Sequence, residues 1–156
     1  MSTDGLSFGQ EVRKIAPHAL FQTWDPASTR EQVDEGLGRL SGCQSYVVAA
    51  FASVSAYRGT VGMLGGELPH ALEALISSGK PVALIALGSP YVLRSFGNVS
   101  AYLATYSTVV PSEIAAARAI LGEIDITGHL PVTIPGQAAL GEGIQLRASR
   151  AVPATQ

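Results

Sequence analysis

The stretch Ser78–Phe96, SGKPVALIALGSPYVLRSF, decides the fold. Its central run, Val82 to Gly88, is apolar throughout and does not alternate with polar residues. A strand with one wet face would alternate; a run without alternation suits a strand covered on both faces, as in a parallel sheet between helices. What flanks the run is helical in pattern. ELPHALEALISSG (Glu67 to Gly79) reads as a helix stopped by Gly79. After the run, Ser89 can accept a first-turn N–H, and Pro90 at the first helical position loses no hydrogen bond. SPYVLRSF is therefore expected to be a short helix. Ser89 could instead be a nucleophile on a strand-to-helix elbow. That turn needs glycine two residues after the serine, and this chain has Tyr91 there. The capping role is preferred.

Working outward, SYVVAAFASV (Ser45 to Val54) repeats the pattern of a strand buried on both faces, and SAYLATYS (Ser100 to Ser107) reads as a third strand. GLSFGQEVRKIA sets Leu6, Phe8, Val12 and Ile15 near one helical face, with Glu11, Arg13 and Lys14 elsewhere. HALFQTW (His18 to Trp24) is short and strand-like. DPASTREQVDEGLGRLSG opens a helix at Asp25-Pro26 or at the Ser28-x-x-Glu31 spacing, and Val33, Leu37 and Leu40 recur at helical spacing. PSEIAAARAILGE is a helix between Pro111 and Gly122. GHLPVTIPG is extended, with prolines that forbid a central antiparallel strand. The expected fold is α/β: a layered sandwich with a mostly parallel sheet. One domain is expected over residues 1–143, with 144–156 a frayed C-terminal tail. The chain opens on a helix where such domains usually open on a strand, so a first strand is expected upstream of Met1.

Composition bounds the function classes. The 156 residues are 47% hydrophobic and 14% charged, a globular balance for one domain with a real core. A net charge of −2 leaves no basic footprint for nucleic acid. No apolar run is long enough for a membrane span, and the polar N-terminus, MSTDGLSFGQEVRK, is no signal peptide. The compartment stays open: the cytoplasm, or a periplasmic or secreted site if a longer precursor carries a signal. With Cys43 alone, neither an internal disulfide nor a cysteine-based zinc site can form; a small, half-buried residue is expected.

Chemistry is sparse. GTVGMLGG (Gly59 to Gly66) follows a strand and precedes a helix, where glycines could admit a phosphate. It matches neither the dinucleotide nor the P-loop pattern, and a long turn with glycines at positive φ explains it. His18, His70 and His129 form no metal-ligand spacing; His70 and Glu73 could touch on one helix. No cofactor or metal is expected. The carboxylates are more telling. Between Glu35 and Glu67 there is no Asp or Glu, so the strand at 45–54 and its following loop carry no acid. Strand C-terminal ends are where α/β sheets place their sites, and glycosidase chemistry needs two acids beside the sugar bond. No catalytic residue is assigned.

SGKPVALIALGSPYVLRSF, AYLATYS and AAARAILGEIDITGHLPVTIPG together resemble the C-terminal α/β domain of glycoside hydrolase family 3. The resemblance runs from about Leu6 to Gly143, and YVVAAFASVSAYRGTVGM fits the family's preceding strand and loop. It implies that the nucleophilic Asp sits on a separate N-terminal (β/α) barrel, the expected partner of this domain. In the β-glucosidase branch the α/β domain supplies the acid/base Glu from the loop before the helix written here ELPHALEAL. The matching stretch, SVSAYRGTVGMLGG, contains no Glu. That departure implies the bacterial two-domain β-N-acetylhexosaminidase-like branch, whose acid/base is a His-Asp pair on the barrel. The expected function is an accessory, non-catalytic domain of an O-glycosyl hydrolase. Tyr57, Arg58, Gly59 and Thr60 are its candidate barrel- or substrate-facing loop. The alternative is a stand-alone carbohydrate- or protein-binding module; a nucleotide-binding domain is a weaker third.

Overall fold

The computed structural model of the chain describes residues 5–52 and 64–149. Strands β1 (Tyr46–Ala52) and β2 (Val82–Gly88) pair in parallel along their whole length, Tyr46 opposite Val82 and Ala52 opposite Gly88. β3 (Ala101–Ala104) pairs with the other side of β2, also in parallel. Among the described residues β2 is thus the central strand, in the order β1-β2-β3. The helices are α1 (Leu6–Ile15), α2 (Arg30–Leu40), α3 (Leu68–Ser77) and α4 (Val110–Ile120). A short 3-10 helix, Pro90–Arg94, joins β2 to β3.

The missing alternation in β2 has a direct cause. Leu84 and Ala86 point into a core with Leu72 and Leu75 of α3, Val92 and Phe96. Ile85 and Leu87 point to the other face, into a core with Phe8 and Val12 of α1 and Ala116 and Ala117 of α4. All four strand residues are fully buried. Each Leu or Ile so placed contributes about 1.5–3 kcal/mol of hydrophobic stabilisation. This is the layered, parallel α/β sandwich expected from Ser78–Phe96.

The residues around β2 explain its ends. Gly79, at φ 75°, closes α3 in the left-handed conformation that favours glycine. The Lys80 ammonium then donates to the carbonyls of Ser41 and Cys43, each at 2.6 Å, where α2 ends. One short run thereby stops a helix, secures a second and starts a strand.

Several local expectations are corrected. The helix at 30–40 is capped neither by Asp25 nor by Ser28. Thr29 accepts from the Gln32 N–H, and the Gln32 side chain accepts from the Thr29 N–H, a reciprocal capping box one residue further on. Asp25 and Ser28 instead bond to one another within the preceding turn. HALFQTW is not a strand: it crosses α2, with Trp24 and Gln22 against Gly36. A Cβ on Gly36 would stand 2.7 Å from Trp24 Cζ2, so the close crossing requires glycine. Leu6 is exposed, and Glu11, expected on the wet face of α1, is buried. His70 contacts Asp34 of α2 at 2.9 Å, across the helix pair, and this hydrogen bond holds the Asp34 carboxyl below the usual range.

The segment after α4 folds back and pairs with itself. Ile126 and Leu146 form an antiparallel bridge, and the Ala148 N–H donates to Asp125 Oδ1 at 2.6 Å. Ile134, between the prolines of GHLPVTIPG, is fully buried.

Candidate functional site

Parallel strands present their C-terminal ends together, and ligands of open α/β sheets bind outside those ends. Here the ends are Ala52, Gly88 and Ala104, with the segments that follow them. Tyr57, Arg58, Gly59 and Thr60 continue from β1 and lie outside the described residues. The segment re-enters at Leu64, and Gly66, at φ 57°, sits directly against the Pro26 carbonyl. A side chain at Gly66 would collide with that oxygen, so the plain role of a positive-φ glycine applies here.

The turn after β2 is built tightly. Gly88 has φ 105°, and a Cβ there would stand 2.5 Å from the Ala52 carbonyl oxygen. That oxygen accepts from the Ser89 N–H at 2.9 Å. Ser89 Oγ in turn accepts from the Tyr91 N–H at 3.4 Å, and Ser89 is buried. It is a cap with Pro90 as the first helical residue, as its sequence context implies. His70 and His129 are engaged elsewhere, with Asp34 and with the Gly141 carbonyl.

β3 ends in a second aromatic element. The Tyr102 hydroxyl donates to the Pro90 carbonyl at 2.7 Å and so ties β3 to the start of the 3-10 helix. Burial holds the Tyr102 phenol well above its ordinary pKa. Beyond the strand, Thr105 Oγ1 donates to the Ser107 carbonyl at 2.7 Å, bracing a turn around Tyr106. Tyr106 takes φ 58° and is 40% exposed. Its phenol is also raised, first by burial and then by the nearby Tyr91. Sequence reading missed this pair of rings, since Tyr91 and Tyr106 belong to different elements and only the fold brings them to one end.

No carboxylate stands in these turns. The sequence has no Asp or Glu between Glu35 and Glu67, nor between Glu73 and Glu113, so all three strands are acid-free, and the first acids after them stand at the start of the following helices, Glu67 before α3 and Glu113 in α4. The second gap was readable from the sequence as easily as the first. Among the described residues two acids are buried, both between helices: Glu11 Oε1 accepts from Arg118 at 2.7 Å, and Glu113 Oε2 accepts from the Phe8 N–H at 2.9 Å. Among the described residues, no three His, Cys, Asp or Glu side chains are grouped to hold a metal ion. No described helix is long and apolar enough to cross a membrane.

No protein-family model matches the chain, and no curated protein matches it. Solved structures do. A glycoside hydrolase family 3 β-N-acetylglucosaminidase from Paenibacillus sp. str. FPU-7 superposes with a TM-score of 0.65 and 16% identity, over 85% of this chain and 23% of that one. The chain has the fold of a family 3 C-terminal α/β domain. A fungal multi-domain family 3 β-N-acetylglucosaminidase, described as having a GCN5-related glucosamine N-acetyltransferase region, superposes equally well. Its TM-score is 0.65 with 19% identity, over 89% of this chain and 15% of that one. At these identities the likeness is one of fold, and the chain spans under a quarter of either enzyme's length.

Proposed function

We propose that this α/β domain serves as the accessory C-terminal domain of a family 3 glycoside hydrolase. The parent reaction is hydrolysis of O-glycosyl bonds in β-N-acetylglucosaminides, and this domain supplies no catalytic group to it. The observation that carries the proposal is the acid-free C-terminal end of the sheet, within a fold that occurs as a minor share of two β-N-acetylglucosaminidases. Glycoside hydrolysis ordinarily needs one carboxyl to protonate the leaving oxygen and a second as base or nucleophile. Those groups would come from an N-terminal (β/α) barrel, the proposed partner. Tyr57, Arg58, Gly59 and Thr60 remain the proposed barrel- or substrate-facing loop.

The same end of the domain offers something for a barrel to cover. Leu6 in the first turn of α1, Val109 just before α4 and Val110 at its start are exposed at 56%, 57% and 52%. Apolar side chains grouped at a rim favour a protein contact.

The test is turnover of p-nitrophenyl N-acetyl-β-D-glucosaminide by the purified chain. None is expected. Turnover that survives purification and tracks the chain through it would overturn the accessory role.

A further inference from the structure

We infer that the Tyr106 ring is a carbohydrate-contacting group at the C-terminal end of β3. The inference rests on the proposed role beside a sugar hydrolase and assigns that role a residue. It starts from the backbone. Tyr106 is held at φ 58°, and every other described residue at positive φ is a glycine. Glycine adopts this conformation freely, whereas a Cβ is driven towards its own carbonyl. The turn lies in the short connection from β3 to α4. Glycine would make that turn without strain, and this chain uses glycine for all its other described turns of that kind. A strained non-glycine residue of this kind points to use of its side chain.

Core packing does not account for that side chain, since Tyr106 is 40% exposed. Its place at a strand C-terminus is where parallel sheets meet ligands. Tyr91 follows the C-terminal end of the neighbouring strand β2, so two tyrosines lie at this end of the sheet, with the hydroxyl-bearing Thr105 and Ser107 flanking Tyr106. A flat apolar ring face with a polar tip is complementary to a pyranose, which pairs an apolar C–H face with a rim of hydroxyls.

The experiment uses saturation-transfer NMR with chitotriose as probe. It is run on the full chain and on its Tyr106→Phe and Tyr106→Gly variants, with a thermal melt of each. The wild type and Tyr106→Phe are expected to give chitotriose signals. Tyr106→Gly is expected to lose roughly fivefold or more of the signal while melting no lower than the wild type, because glycine relieves the strained turn. An unchanged signal in Tyr106→Gly overturns the inference. So does a lower melting temperature of that variant, which would assign the ring to the fold. If the wild type gives no chitotriose signal, and Tyr106→Gly instead weakens association with a family 3 barrel domain, the ring is a protein contact and the inference is overturned. Absence of any chitotriose signal overturns it alone; the accessory role is judged separately by turnover.

Discussion

Two single residues carry much of the strand-to-helix geometry. A methyl group at Gly88 would press on the Ala52 carbonyl oxygen and would sit at φ 105°. Gly88→Ala is therefore expected to destabilise the domain by about 2 kcal/mol or more, read as a lower denaturation midpoint at unchanged slope. Lys80 acts on the opposite end of β2, where its ammonium serves the Ser41 and Cys43 carbonyls. Lys80→Met keeps the stem and removes both bonds, with an expected cost of about 2 kcal/mol in the same measurement. Both residues stand in the stretch that decides the fold. Gly88 was readable as a strand end, because glycine before Ser-Pro marks such a stop. The partners of Lys80 were not, since Ser41 and Cys43 lie far away in sequence, just past the end of α2.

At the scale of elements, α1 is fastened to α4 by two buried acids. Glu113 accepts from the Phe8 N–H in the first turn of α1, a donor with no partner inside its own helix. Glu113→Ala is expected to cost about 2 kcal/mol, and Glu113→Gln much less, because an amide oxygen can still accept. Hydrogen bonds from Lys14, then from Arg118, hold the Glu11 carboxyl below its ordinary range. A carboxyl with a depressed folded-state pKa stabilises the fold above its unfolded value, and that contribution is lost as pH falls through the folded value. Thermal melts from about pH 5 downward should thus drop less steeply for Glu11→Gln than for the wild type. An equal slope would exclude Glu11 as a contributor. Neither acid was legible as buried: their helical positions suit solvent, and only the docking of α1 on α4 encloses them.

Across the whole molecule, the described sheet ends on β1, with Val47 46% exposed. A parallel sheet of three strands with an apolar edge invites pairing with another chain. Concentration-dependent self-association is expected by sedimentation, and Val47→Lys should reduce it; a strict monomer at all concentrations would contradict this.

The sequence by itself determined the class of fold and the order of its elements. Apolar runs, helical spacing, Gly stops and a Ser-Pro start are local signals, and the backbone obeys them wherever they occur. The absence of acid after the strands was also visible there, because it concerns residue types alone. Tertiary structure decided what depends on distant partners. It laid HALFQTW, which reads as a short strand, across α2 against Gly36. It also buried Glu11 and Glu113, and turned the chain at a tyrosine where glycine would be easier. For HALFQTW, Glu11 and Glu113 the deciding energy is a contact between segments remote in sequence, which no local pattern encodes.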